Sequence, residues 1–194
     1  MTELLKTVSE NPKELLKNIV NFYCDGKIDV DPTYSKGSFY KGTDIVPQFK
    51  FDLNPISDDV VKADFKNIPL EKNSVKSIMF DPPFLTEGTA KSKIMSRFTS
   101  YNSIQQLIGD YSAALAEMYR ILDRKGVLIF KCQDTTFYHS NWFIHCTVHD
   151  LARQIGFKAK DLFVLVAKNR ILRKIDNQEH ARKYHSYFWV FTKG

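Results

Sequence analysis

Asp81-Pro82-Pro83-Phe84 stands directly after the apolar run Ile78-Met79-Phe80. An acid there closes a buried strand with a hydrogen-bond acceptor. The two prolines stiffen the turn beyond it and remove competing N–H donors. The phenylalanine adds a flat apolar face. A strand followed by a proline turn would account for the prolines, but not for the acid and the aromatic that flank them. The tetrapeptide also sits fourth in a series. Short apolar runs at 28–31, 49–53, 60–63 and 77–80 end at or beside Asp31, Asp52, Asp64 and Asp81. In open α/β sheets ligands bind beyond the carboxyl ends of the strands, so these four acids are expected to converge on one crevice.

The tetrapeptide resembles the signature of the S-adenosylmethionine-dependent amino-methyltransferases, which reads Asp or Asn, Pro, Pro, aromatic. It matches at every position. That resemblance implies methylation of an exocyclic amine on a nucleic-acid base, with Asp81, Pro82, Pro83 and Phe84 as catalytic residues. Such an amine is a poor nucleophile because its lone pair is delocalised into the ring. Two acceptors around the NH2, the Asp81 carboxylate and the Pro82 carbonyl, would favour a more tetrahedral nitrogen and take up its developing positive charge. Phe84 would stack against a base swung out of its helix. Adenine N6 in DNA is the favoured target, then cytosine N4 in DNA, then an RNA base. Outside this class stand a non-catalytic subunit that keeps the cofactor fold and binds nucleic acid for a partner, and methylation of a protein or small molecule.

The cofactor half follows the first expected strand. Asp31-Pro32-Thr33-Tyr34-Ser35-Lys36-Gly37 matches the family's first motif at Asp31, Pro32 and Gly37, with Ser35 in place of its first glycine. With Phe39 it resembles a variant loop of phage-type and prophage-type members. The resemblance implies S-adenosylmethionine as cofactor, lined by Asp31, Pro32, Thr33 and Gly37. A carboxylate at Asp52 can accept both ribose hydroxyls, and the resemblance places Asp64 at the adenine amino group with Phe65 beside the ring. No Gly-x-Gly-x-x-Gly follows the first strand, which argues against a dehydrogenase. Methyl transfer needs no metal. His145 and His149 lie four apart on an expected helix, but nothing supplies further ligands at a sensible spacing, so a surface helix face is the expectation.

The elements that must position these residues are legible in the periodicity. Asn11-Pro12-Lys13-Glu14 is a helix start, with a capping side chain and proline at the first helical position. Leu15, Leu16, Ile19, Val20 and Tyr23 follow at helical spacing until Gly26. Ile104, Leu107, Ile108, Tyr111, Leu115, Met118, Ile121 and Leu122 form one apolar stripe of a long helix that ends at residues 123–126. Residues 127–130 read as a strand buried on both faces. Ile144, Val148, Leu151, Ala152 and Ile155 mark another helix, closed by Gly156. Residues 162–167 and 187–191 are the last strands, with Trp142 and Trp189 as packing residues. Alternating strands and helices predict an α/β fold, a Rossmann-like class I methyltransferase with a mostly parallel seven-stranded sheet and helices on both faces. The connector at 168–185 has too weak a pattern for a crossover helix. A long hairpin is expected there, making the final strand antiparallel.

The chain has 194 residues, 28 Lys+Arg and 22 Asp+Glu, a net charge of +6. This size holds a hydrophobic core without disulfide staples, and the composition excludes a disordered tail or a collagen-like repeat. One domain is expected over residues 1–194, with 1–26 an N-terminal helical segment and 27–194 the catalytic core. Such a core leaves no space for a separate target-recognition domain, so specificity is expected to come from two loops, from a protein partner, or to be low. Much of the basic excess falls in two segments. Lys91, Lys93 and Arg97 lie in a loop after the catalytic tetrapeptide. Arg170, Arg173, Lys174, Arg182 and Lys183 lie in the 168–185 connector, whose closing residues also resemble the phage-type enzymes. Both suit a phosphate backbone, DNA rather than RNA being favoured. Cys24, Cys132 and Cys146 are too few and too far apart for a disulfide framework and read as buried free thiols. No signal peptide and no membrane span is expected, which points to a cytoplasmic protein.

Overall fold

A computed structural model describes residues 4–84, 101–168 and 178–194. Its centre is an eight-stranded sheet. In chain order the strands are β1 (Val8–Ser9), β2 (Val30–Asp31), β3 (Phe49–Asp52), β4 (Val61–Lys62), β5 (Val75–Phe80), β6 (Leu122–Cys132), β9 (Phe157–Val166) and β10 (His185–Lys193), arranged β1-β9-β10-β6-β5-β2-β3-β4. A separate hairpin pairs β7 (Thr135–Phe137) with β8 (Ser140–Trp142). Pairings across β4-β3-β2-β5-β6 are all parallel. β10 inserts between β6 and β9 and runs antiparallel to both, as the weak connector pattern predicts.

Alternation along the central strands splits the core in two. Ile78, Phe80, Leu128 and Phe130 face α2 (Ile104–Ile121) and α3 (Ile144–Ile155), joined by Leu107, Tyr111, Leu115, Met118, Val148 and Ala152. Met79, Val127, Ile129, Phe188 and Val190 face the other way, onto Leu15, Leu16, Ile19 and Val20 of α1 (Pro12–Tyr23). Helices therefore cover both faces. The start of α1 forms as expected: the Asn11 side chain accepts from Lys13 N at 3.1 Å and Glu14 N at 3.3 Å.

The structure departs from the sequence reading in several places. The sheet has eight strands rather than seven, because Val8–Ser9 pairs in parallel with Val164 and Leu165 ahead of α1. The long helix does not run on to residues 123–126. It ends at Ile121, and β6 begins at once, with a bulge where partners jump from Val75↔Leu122 to Ser77↔Val127. Gly126 is needed there: a Cβ would sit 2.8 Å from a Leu122 methyl and 2.9 Å from the Asp123 carbonyl. The β7–β8 hairpin was not expected at all. Of the three free cysteines only Cys132 is buried, while Cys24 is partly covered and Cys146 exposed. His145 is not on an open helix face, since its Nδ1 lies 2.7 Å from the buried carboxylate of Asp134 and its ring stacks on Tyr187 at 4.2 Å. No helix among the described residues is long and apolar enough to cross a membrane.

Lys193, near the end of β10, closes the far end of α2. Its buried ammonium donates to the carbonyls of Tyr119 (2.6 Å) and Leu122 (2.7 Å) and to Asn73 Oδ1 (2.6 Å). The last carbonyls of a helix have no partners of their own and carry the negative end of its dipole, so a cation there satisfies both needs. Lys193→Met is expected to cost about 2–3 kcal/mol, because buried acceptors lose their donor. Urea denaturation checks this, and a loss below about 0.5 kcal/mol, the scale of an ordinary surface change, would contradict it.

Candidate active site

Asp31, Asp52 and Asp81 lie at the carboxyl ends of β2, β3 and β5, three strands adjacent in the sheet. Asp31 is 3% exposed. Its Oδ1 accepts from the Thr33 N–H at 2.8 Å and from the Thr33 hydroxyl at 3.3 Å, and its Oδ2 accepts from the Tyr40 hydroxyl at 2.7 Å. Burial pushes its carboxyl up to about 7. The hydrogen bonds from Tyr40 and Thr33 oppose that rise, and the nearby charge of Asp81 adds to it.

Thr33 ties the two motifs together. While its hydroxyl reaches Asp31, the same oxygen accepts from the Asp81 N–H at 3.2 Å. The Asp81 carboxylate is held separately, Oδ2 lying 2.7 Å from Lys131 Nζ on neighbouring β6. Among the described residues nothing donates to Asp81 Oδ1 or to the Pro82 carbonyl. The next carbonyl, of Pro83, accepts from the Tyr111 hydroxyl at 3.0 Å, which anchors the proline turn to α2. Pro82 is buried, and Pro83 and Phe84 are half-buried.

The loop after β2 is tight. Asp31-Pro32 leads into a turn closed at Gly37, whose φ is +63° and whose Cβ, if present, would meet the Tyr34 ring within 2.6 Å. A side chain here would have to displace the Tyr34 ring and hold a left-handed backbone, so glycine is favoured. Ser35, the departure from the family motif, adopts φ +51°. Its N–H donates to Asp52 Oδ2 at 2.9 Å, and Asn54 N donates to Asp52 Oδ1 at 2.8 Å. Each Asp52 oxygen thus carries one backbone donor and keeps a lone pair for another.

Asp64 is placed differently. It lies just beyond the edge strand β4, accepts from Lys66 N at 2.9 Å, and has Lys66 Nζ at 3.7 Å, which also pairs with Asp110 at 3.0 Å. Among the described residues no hydrogen bond joins its carboxylate to Asp31, Asp52 or Asp81. Phe65 beside it packs edge-on against Phe80, 5.4 Å between centroids.

The basic candidates divide likewise. Lys91, Lys93, Arg97, Arg170, Arg173 and Lys174 lie outside the described residues. Arg182 is exposed. Lys183 donates to Thr136 and Asn141, so the end of the connector is fastened to the β7–β8 hairpin. His139 Nδ1 lies 2.6 Å from a Glu179 carboxylate oxygen, and His180 meets Asn141 at 3.1 Å and the His139 carbonyl at 2.6 Å. Tyr138 protrudes at the hairpin tip, 79% exposed.

Sequence reasoning missed Tyr40, Tyr111 and Lys131. Tyr111 was visible only as part of the apolar stripe. Lys131 did carry a signal, being a charge that directly prolongs a strand buried on both faces.

No family model and no curated protein matches the chain. Solved structures do. An S-adenosylmethionine-dependent methyltransferase of Methanosarcina mazei superimposes with a TM-score of 0.55 over 90% of this chain and 96% of its own, at 11% identity. The fold is that of the S-adenosylmethionine-dependent methyltransferases. A Galdieria sulphuraria protein assigned as a sarcosine dimethylglycine methyltransferase matches this methyltransferase fold at TM-score 0.58, 12% identity, 93% of this chain and 84% of its own. A Thermus thermophilus protein assigned as a DNA modification methylase matches at TM-score 0.46 and 14% identity, over 68% of this chain. The chain spans about half (52%) of that protein's length.

Proposed function

We propose that the protein transfers a methyl group from S-adenosylmethionine to an exocyclic amine of a nucleic-acid base, with adenine N6 in DNA as the target. The observation that carries this reading is the paired acceptor at the end of β5. Asp81 Oδ1 and the Pro82 carbonyl have no donor among the described residues, and both sit on a loop stiffened by two prolines and tethered by Thr33 and Tyr111.

The residues present suit the cofactor. Asp52 retains one lone pair on each oxygen for a vicinal diol, and Gly37 lets the loop fold where a side chain would not fit. Asp31, Pro32, Thr33, Gly37 and Asp52 would hold it, with Asp64 and Phe65 toward its adenine. When bound, S-adenosylmethionine supplies a methyl group activated by a sulfonium leaving group. The chain's own work is then placement. Asp81 and Pro82 accept the two amine hydrogens and draw the nitrogen lone pair out of conjugation. Phe84 covers the ring face. The fixed acceptors bring the nitrogen to attacking distance. On the substrate side, Arg182, Lys183 and the fastened hairpin form a rim beyond the end of β6, and the basic character of Lys91, Lys93, Arg97, Arg170, Arg173 and Lys174, which lie outside the described residues, suits the same phosphates. A basic rim with an exposed tyrosine suits phosphates and unstacked bases.

The test is transfer of a labelled methyl group to DNA, RNA or protein supplied in turn. Label recovered as N6-methyladenine in DNA is the expected result. Label confined to RNA or protein would replace the substrate, and donor binding without transfer would identify a non-catalytic nucleic-acid-binding subunit.

A further inference from the structure

We propose that Lys131 is a positioning residue that fixes the Asp81 carboxylate for methyl transfer, an inference that rests on the function proposed above. Lys131 stands one residue past the last β5–β6 register pair, Phe80↔Phe130, so it lies directly alongside Asp81. It points to the α1 side of the sheet, like Val127 and Ile129. Its ammonium is 2.7 Å from Asp81 Oδ2 and 5.2 Å from the centre of the Phe39 ring. The two side chains are only 19% and 26% exposed, so their attraction is less screened than that of a surface pair.

The sign of the charge narrows its role. Attack on the methyl group makes the amine nitrogen positive. A second positive charge nearby opposes that step, so transition-state stabilisation is not what Lys131 contributes. It can contribute direction. With Oδ2 turned to Lys131, Oδ1 is the oxygen that carries no donor among the described residues and is presented to a target amine. The Lys131 contact restricts how the carboxylate can turn, and the backbone N–H held by Thr33 fixes the strand end that carries it. A near-attack arrangement depends on such restriction.

Lys131 is itself held in place. Phe39, whose ring it faces, stacks on Phe188 of β10 at 6.1 Å and belongs to the short 3-10 turn Ser38–Tyr40. That turn continues the loop carrying Asp31, Thr33 and Gly37. One loop therefore reaches Asp81 twice: Thr33 touches its backbone, and Phe39 acts on its carboxylate through Lys131.

The experiment compares the full chain with Lys131→Met and Lys131→Arg, folding being checked by thermal melting. Methionine keeps the length and apolar stem without the charge, and arginine restores the charge. For Lys131→Met, kcat for methyl transfer is expected to fall about 30- to 100-fold, the scale of a small misplacement, with KM for the donor within about threefold. Lys131→Arg should recover most of the loss. An unchanged kcat in Lys131→Met overturns the proposal. So does a raised donor KM at constant kcat, which would make Lys131 a ligand of the donor's carboxylate. Crystal structures supply a readout independent of turnover. Asp81 should hold one orientation in the wild type and in Lys131→Arg and turn or split in Lys131→Met, whereas the same single orientation in Lys131→Met overturns the proposal. If the wild type methylates no nucleic acid, the functional reading fails, and the Asp81 orientations still decide the role of Lys131.

Discussion

Methyl transfer by Asp81→Ala is expected to fall at least about 10³-fold, with affinity for S-adenosylmethionine nearly unchanged. The size reflects the work of the side chain. Removing one preorganised polar group aimed at developing charge typically costs about 10²–10³ in kcat. Here alanine also leaves Lys131 partly buried without its counter-charge, which sets a cation beside a nitrogen that is becoming positive. Donor affinity should survive because the residues assigned to the cofactor are tied mainly to one another: Asp31 to Thr33 and Tyr40, and Asp52 to Ser35 and Asn54. Asp81→Asn separates acceptance from charge. Its amide oxygen can still take an amine hydrogen, so its loss should be closer to about tenfold, a single hydrogen-bond-sized term. Turnover assays alongside calorimetric titration of the donor check both. Near-normal turnover in Asp81→Ala would remove this residue from the site.

The second large effect concerns Asp31 and is read in stability. In the folded chain burial raises its carboxyl from the ordinary 3.8 to about 7. Between those values the folded state holds a proton that the unfolded chain gives up. The contribution of Asp31 is therefore fully present below about pH 4, declines as pH rises, and is lost above about pH 7. Three pH decades at about 1.4 kcal/mol each put the whole swing near 4 kcal/mol. Asp31→Asn stays neutral throughout and can keep both contacts, its oxygen accepting from Thr33 and its NH2 donating to Tyr40. The variant should be the more stable protein at pH 8 and should lose the slope between pH 5 and 7. Denaturant midpoints across that range measure both. A variant whose pH profile parallels the wild type would show that Asp31 is not the group responsible. A buried acid that costs stability at neutral pH is easier to understand at a site that receives a cationic ligand, and a sulfonium donor is one.

The central sheet was readable because its strands are extreme. Residues 127–130 and Ile78-Met79-Phe80 are apolar on both faces, a pattern few other structures require. The stripe from Ile104 to Ile121 was equally plain. What escaped reading was short or distant. Two-residue strands such as Val8–Ser9 have no measurable period. The β7–β8 turn lacks the Gly or Asn that usually announces a hairpin, placing Tyr138 and His139 at φ +43° and +61° instead. The acids at the strand ends could be found in the sequence because each closes its own apolar run. Their partners could not: Lys131 meets Asp81 across 50 residues, and Tyr111 meets Pro83 across 28. Spacing along the chain says nothing of such pairs until the strands are ordered.

The short strand β1 has a consequence for how the molecule behaves among its own copies. β9 borders the sheet, and an uncovered strand offers its backbone to any other chain that can pair with it. Its first half carries Lys158 and Lys160, exposed charges that discourage such pairing. Its second half, Leu162-Phe163-Val164-Leu165, has no charge, and it is here that Val8–Ser9 lies down, with the Val164 N–H donating to the Thr7 carbonyl at 2.7 Å. Two residues that add little to the core thus cover the uncharged half of β9, leaving at this margin a two-residue edge in place of a long apolar one.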